Sequence, residues 1–265
     1  MPETSRAPLR TVVNALALLR AFDVDEEWLG VRELARMLDL NSASVHNLLS
    51  TLVSAGFVEQ DAKTRKYRLG LGLIKLAGVK LAQLDIVAVA SPLMKELMEA
   101  TGETITLSVL HGDELLYLAK LESPQPVRVA SRIGGSAPIH CSANGKALLA
   151  FRSEVEIDRL LAKPLRRFTE ATVIDRAKIK EDLNRVRSQD YATDFGAYID
   201  GVHAVAAPVR DAQNQVIASI GVIAPAARLQ RSKVAQRAAQ AIKTARAIAL
   251  GLGWTGVHRR PIGHD

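Results

Sequence analysis

The stretch Val31–Leu52, VRELARMLDLNSASVHNLLSTL, is the feature that most constrains the fold. Apolar residues recur at helical spacing twice within it. Val31, Leu34, Ala35 and Leu38 form the first set, and Val45, Leu48, Leu49 and Leu52 the second. Asp39-Leu40 fills a bend between them, and Asn41 stands where an N-cap of the second helix belongs. The opposite face of that second helix carries Ser42, Ala43, Ser44, His46, Asn47 and Ser50. Small and hydrogen-bonding side chains of this kind suit a helix laid in a DNA major groove.

The flanks sharpen the reading. A helical pattern of Val12, Val13, Leu16, Leu19 and Phe22 precedes the pair. A short hairpin follows, with Phe57–Glu59 as one strand, Gln60–Arg65 as the turn and Lys66–Leu69 as the return. This order, ending in a basic hairpin, is that of a winged helix-turn-helix. A plain helical hairpin in a core would not need the hairpin at that place. A protein-only adaptor would not need its cations.

Charge supports DNA only locally. Residues 1–85 hold 11 Lys+Arg and 10 Asp+Glu, and residues 86–265 hold 24 and 18, within an overall net charge of +7. Between Phe57 and Lys75, however, Lys63, Arg65, Lys66, Arg68 and Lys75 face only Glu59 and Asp61. Arg10, Arg32, Lys63, Arg65 and Lys66 are thus candidates for backbone contacts, beside Ser42, Ala43, Ser44, His46 and Asn47 on the reading helix. Aromatic content of 4% argues against stacking on single strands.

At 265 residues and 48% hydrophobic content, the chain has room for two domains. The start lacks the apolar core of a signal peptide, and the apolar runs are broken by charge, so a cytoplasmic protein without membrane spans is expected. A single cysteine, Cys141, excludes an internal disulfide framework and a multi-cysteine zinc site. No metal or cofactor is expected, since HExxH, Walker A and GxGxxG motifs are all absent.

The expected division is a disordered 1–9, a winged domain over 10–70, a linker helix over 71–86, a second domain over 87–253 and a flexible tail over 254–265. A further helix over Val87–Ala100 is expected to bend or restart at Pro92. Then the period changes to two. Thr104–Leu110 and Glu114–Leu121 read as a hairpin, Val127–Ile133 as a third strand, and His203–Val209 and Val216–Ile223 as a second pair. Helices are expected over Ser142–Phe151, Val155–Leu161, Asp175–Gln189 and Ser232–Gly251. The fold class is α+β, with helices packed on an antiparallel sheet.

Two places in the second domain could hold a ligand. At GSAPIHCSANGKALLA a strand runs into a helix capped by Ser142, which would offer N–H groups to an anion at Ala143, Asn144 and Gly145. On the late strands, parity puts Ser219, Gly221 and Ile223 on one face, beside Ala204 and Ala206 and with Asp194 just before. Small residues there make room for a ligand or for a packed helix. His140-Cys141 is a weak nucleophile candidate, because neighbours on an extended segment point apart; a hydrolase or transferase using Cys141, His140 and Asp194 is the alternative function.

Taken together, four segments resemble one family, the IclR-type bacterial transcriptional regulators. They are VRELARMLDLNSASVHNLLSTLVSAGFVEQD, KYRLGLGLIKLA, APIHCSANGKALLA and DFGAYIDGVHAVAAPVRDAQNQVIASIGVIAPAARL. The resemblance implies a winged helix-turn-helix, a GAF/profilin-like effector domain without catalysis, and dimers or tetramers on palindromic double-stranded operators. It implies an effector pocket around Ala143, Asn144, Asp194, Ala204, Gly221 and Ile223, for a small carboxylate or aromatic acid. Members that take very small polar acids carry Cys or Ser where this chain has Ala204, Gly221 and Ile223, which points to a larger, more apolar acid. Ser42 and Asn47 stand where the family commonly has Lys and Arg.

Overall fold

The computed structural model describes residues 8–23, 27–82, 85–127 and 132–256, with nothing said of the side chains of 80–82. Contacts divide the chain into two units, Met1–Gln83 and Leu84–Asp265.

The first unit has helices α1 (Arg10–Arg20), α2 (Val31–Leu38) and α3 (Ser42–Ser54), strands β1 (Val58–Gln60) and β2 (Tyr67–Leu69), and helix α4 (Gly72–Ala82). Its core is Leu18, Leu29, Leu34, Val45, Leu49, Val58 and Tyr67. Each such side chain removed from water contributes about 1.5–3 kcal/mol. Asp39 ends α2 in the left-handed region, with φ 52°, and Asn41 caps α3 by accepting from Ser44 N at 2.8 Å. That turn sets α3 across α2. The hairpin lies one residue later than its sequence pattern suggests, pairing Val58 with Leu69 and Gln60 with Tyr67. Leu29 adds a bridge to Tyr67 through bonds of 2.9 and 2.8 Å, a pairing that local patterning does not show.

The apolar pattern around α1 is only partly its core face, with Leu19 and Phe22 packed against the core. Leu18 is the fully buried anchor, whereas Leu9, Val12, Val13 and Leu16 are exposed. Helix α4 likewise exposes Leu71, just before it, and Ile74, Leu76 and Val79.

The second unit begins with α5 (Asp85–Thr101), which runs unbroken through Pro92. The helix does not restart there. Ser91 Oγ donates to Val87 O at 2.6 Å in the turn before the proline. Strands β3 (Thr104–His111), β4 (Glu114–Leu121) and β5 (Ser136–Ala137) follow, then helices α6 (Ala143–Leu149), α7 (Glu154–Leu161) and α8 (Arg176–Gln189). Strands β6 (Ala192–Phe195), β7 (Val202–Arg210) and β8 (Val216–Pro225) and helix α9 (Val234–Gly251) complete it. The sheet order is β5-β4-β3-β8-β7-β6, all pairs antiparallel. Most of the expected strand Val127–Ile133 lies outside the described residues.

Helices cover both faces of the sheet. Met94 and Leu97 of α5 and Ala241, Ala245 and Ile248 of α9 pack on Ile105, Leu107, Ile220 and Val222. On the other face, Ala143 and Ala147 of α6 and Ile179 and Leu183 of α8 pack with Ala192, Ala204, Ala206 and Ile223. Double coverage explains why VHAVAAPVR and VIASIGVIAP are nearly continuous apolar runs rather than alternating ones. Pairing with β6 stops at Ala206, two residues short of Pro208, where a missing N–H costs no ladder bond on that side. Residue Trp254 is not loose: its Nε1 donates to Asn214 Oδ1 at 2.8 Å. Residues 1–7 and 257–265, assigned to a disordered start and flexible tail, lie outside the described residues, as do Leu84 and residues 24–26.

Candidate DNA-reading surface and effector pocket

Helix α3 has two chemically different sides. Val45 and Leu49 are fully buried, while Ser42, Ala43, His46 and Asn47 are exposed and Ser44 is half-buried. Ser44 donates its backbone N–H to the cap, leaving its hydroxyl beside an exposed row of donors and acceptors. Arg10, at the start of α1, and Arg32, in the first turn of α2, are also exposed.

The wing tip is fixed by one carboxylate. Asp61 Oδ1 accepts from Lys63 N at 3.0 Å, Thr64 N at 2.6 Å and Thr64 Oγ1 at 2.8 Å. These bonds to the charged form hold its carboxyl below the usual range. Arg65 adopts φ 60°, and its side chain and that of Lys63 are exposed. Not every wing cation is free. Arg68 is bound by Glu59 at 3.0 Å and Glu27 at 3.1 Å and lies over Trp28 at 4.7 Å. Lys66 is 3.9 Å from Glu33. Lys63 and Arg65 are therefore the more available pair.

The second unit assembles the expected pocket residues on one face of the sheet under α6. Thr104, Ile223, Ala204 and Asp194 form one row across four strands, and Thr106, Gly221, Ala206 and Ala192 form the next. Ser108, Ser219 and Pro208 form a third. Ala143, Asn144 and Gly145, at the start of α6, are buried over them.

Two details revise the sequence reading. The smallness of Gly221 serves packing, since a Cβ there would lie 2.2 Å from Asn144 Oδ1. Gly145 is equally pressed, its Cβ falling 2.5 Å from Ile139 Cα, and its N–H is taken by Ser142 Oγ at 3.2 Å. Asn144 bridges the strands: Nδ2 donates to Ser219 Oγ at 3.2 Å, and Oδ1 accepts from Thr106 Oγ1 at 3.4 Å. Thr104, Thr106 and Ser108 look like a wetted strand face in sequence, yet all are fully buried. Ser108 Oγ has no hydrogen-bond partner among the described residues.

Asp194 is the buried acid of this face, 5% exposed. Burial raises its pKa to about 6, against the opposing hydrogen bond from Ala197 N at 2.7 Å. It lines a cavity of about 760 Å³ with Cys141, Lys146, Asp182, Thr193 and Phe195 among others. Lys146 is committed to Asp182 at 2.6 Å. Tyr117 on β4 and Tyr198 after β6 are the neighbouring phenols, and neither lines this cavity. Each is raised by burial, and Tyr117 feels both Tyr198 and Asp194.

The catalytic alternative finds no support in this geometry. Burial pushes the Cys141 thiol up to about 12, so it is no ready thiolate. His140 Nε2 is engaged with Arg166 O at 3.1 Å, and burial lowers its pKa. Among the described residues no cluster suited to a metal ion occurs, and no helix is long and apolar enough to cross a membrane.

Comparison with known proteins agrees with both halves. Residues 11–62 match the IclR helix-turn-helix domain, and residues 79–250 match the bacterial transcriptional regulator IclR C-terminal family. The transcriptional regulator BhcR of Paracoccus denitrificans is 32% identical, over 92% of this chain and 88% of its own. XynR of Escherichia coli is 31% identical, over 93% and 98%. An IclR regulator from Alicyclobacillus acidocaldarius superposes with a TM-score of 0.84 at 26% identity, covering 93% of this chain and 100% of that one. An IclR homolog from Microbacterium hydrocarbonoxydans, solved with 4-hydroxybenzoate, gives 0.81 at 27% identity, covering 91% and 98%. With a winged helix-turn-helix in one unit and an effector-binding α/β fold in the other, the chain belongs to the IclR family of DNA-binding transcriptional regulators.

Proposed function

We propose that this regulator binds an inverted-repeat operator as a dimer or tetramer, and that an organic acid with an apolar or aromatic body controls it. The observation that carries the DNA part is the two-sided α3: buried Val45 and Leu49 hold a row of exposed Ser42, Ala43, His46 and Asn47 beside a clamped basic wing tip. In this reading Asn47 contacts a base edge, with Ser42, Ala43, Ser44 and His46 around it, while Arg10, Arg32, Lys63, Arg65 and Lys66 contact phosphates. Self-association is supported by the exposed apolar rows Leu9, Val12, Val13 and Leu16 and Leu71, Ile74, Leu76 and Val79. The two working parts are taken as residues 10–70 and 87–253.

The effector pocket is assigned to Ala143, Asn144, Asp194, Ala204, Ser219 and Ile223, with Gly145 and Gly221 giving α6 room to pack against the sheet. The apolar Ala204 and Ile223 beside Asp194 favour an acid with an apolar body over a two- or three-carbon oxoacid. The neighbour solved with 4-hydroxybenzoate supports the same class. The protein acts without catalysis and in the cytoplasm. A thermal-shift screen of small acids tests the effector reading, because stabilisation follows RT ln(1 + [L]/Kd). Benzoate-like acids raise the thermal transition followed by Trp254 fluorescence, and tight binding of pyruvate or glyoxylate alone contradicts the assignment.

A further inference from the structure

Strand β6 is an edge of the sheet in the second unit, paired with β7 on one side. Gly196 N donates to Val202 O at 2.9 Å. Antiparallel alternation therefore turns the backbone groups of even-numbered β6 residues toward β7 and those of odd-numbered residues outward. The chain covers the outward groups at both ends. Gln189 Nε2 donates to Tyr191 O at 2.8 Å, and Thr172 Oγ1 to Ala197 O at 2.6 Å. Ala197 N donates to Asp194 Oδ1 at 2.7 Å. Between these covered ends lie Thr193 and Phe195. Among the described residues, their outward N–H and C=O groups have no hydrogen-bond partner.

This open stretch borders the cavity of about 760 Å³, with α8 on one side of it and Arg231 and Val234 on the other. Both sides are basic. Within α8, five Lys and Arg stand against two Asp and Glu. The single helical turn Arg231–Lys233 and α9 after it carry no acid. Asp182 holds Lys146 at 2.6 Å and Arg185 at 3.0 Å. Lys178 and Arg231 also line the cavity, are exposed, and form no ion pair among the described residues. Against them stand Glu181 and the buried Asp194. Arg231 lies over the Phe195 ring at 4.0 Å, which sets its guanidinium beside the open edge.

An unpaired edge with cations on both sides is a template for an added acidic strand. We propose that β6 takes up an extended acidic segment of a partner protein. The backbone of that segment pairs with Thr193 and Phe195. Its successive side chains point to opposite faces of the sheet, so carboxylates on one face meet Lys178 and those on the other meet Arg231. A second copy of this chain is the poorer occupant. Two-fold pairing of β6 with itself would set α8 against α8 and Arg231 toward Arg231, cation against cation. Of the residues assigned to the effector pocket, Asp194 alone borders this cavity, so the edge site does not depend on that assignment.

Fluorescence anisotropy with the full chain and short labelled peptides tests it. The probes are a peptide of alternating Thr and Glu, its Thr and Lys counterpart, and the Thr and Glu peptide with its backbone nitrogens methylated. Saturable binding of the first is expected, weakening with salt, and about tenfold weaker or absent binding of the other two. Thr193→Pro removes one outward N–H, a change that an edge strand tolerates, and should weaken the Thr and Glu peptide about tenfold. Lys178→Glu together with Arg231→Glu should turn the preference toward the Thr and Lys peptide. Both of those side chains are exposed, so this pair decides the matter even if Thr193→Pro lowers the thermal midpoint. No binding of the Thr and Glu peptide overturns the proposal. Equal binding of the methylated or the Thr and Lys peptide overturns it too. A parent chain that sediments as a larger assembly than Thr193→Pro gives the edge to a second copy and likewise overturns it.

Discussion

Gly221→Ala asks whether the space above β8 belongs to a ligand or to helix α6. The added Cβ would meet Asn144 Oδ1 at 2.2 Å and its Cγ and Nδ2 at 2.8 Å. Asn144 is 2% exposed and bridges Thr106 and Ser219, so it cannot swing into water. Overpacking of this kind costs about 1–3 kcal/mol. Displacing the amide also breaks two buried bonds at about 1 kcal/mol each. The expected destabilisation is therefore about 3–5 kcal/mol in the second unit. Urea unfolding followed by Trp254 fluorescence, in a Trp28→Phe background, reads it as a lower midpoint with unchanged slope. Asn144→Ala removes the obstructing amide, so the double variant should lose less than the sum of the two single variants. A coupling of roughly 1 kcal/mol or more is expected. Additive losses, or a Gly221→Ala protein of full stability that has lost only its ligand response, would refute the packing argument and return that space to the effector.

Other expectations follow from the same geometry. Replacing Lys63 and Arg65 by Ala should lower the salt slope of DNA binding by about 0.9 for each phosphate no longer neutralised, whatever the DNA sequence. Lys66→Ala should matter less, since Glu33 already lies 3.9 Å from it. An unchanged slope removes the wing from the interface. Asp194 has a folded pKa raised to about 6 from an ordinary 3.8, so its contribution to stability is fully present below about 4 and lost as pH rises through 6. Two pH units correspond to about 3 kcal/mol at most, and Asp194→Asn should flatten that slope and raise stability at pH 7.5. A variant less stable than the parent at pH 7.5 contradicts this. Leu16→Glu together with Ile74→Glu should shift the chain toward monomer in sedimentation; an unchanged assembly would locate the contact elsewhere.

How much was legible in sequence depended on whether the signal was local. The reading unit was, because Leu34, Val45 and Leu49 obey one period and Asn41 marks a cap that the structure uses. Strands β7 and β8 were legible as apolar runs, and parity placed Ser219, Gly221 and Ile223 on one face. Strand β6 was not, because ATDF is short and half polar, so Asp194 was read as lying before the strands when it pairs with Ala204. The apolar stripe of α1 misleads for a different reason: periodicity marks a sticky face without saying whether the chain's own core covers it, and only Leu18 is fully buried there. The contact of Asn144 with Gly221 joins residues far apart in the chain. No local pattern encodes such a contact, so the pocket's chemistry emerged only with the fold.

The central claim, a sequence-reading regulator released or engaged by a small acid, is tested most directly by one titration. Full-length chain is titrated at about 0.15 M salt onto labelled duplex from upstream of its own gene, and onto a shuffled duplex of the same composition, with and without 4-hydroxybenzoate. The account predicts a clear preference for the native duplex, a protected inverted repeat, and a shift in affinity or footprint with the acid. It also predicts that Asn47→Ala costs about 1–3 kcal/mol at one operator position while leaving shuffled DNA unaffected. Equal affinity for the two duplexes would contradict it.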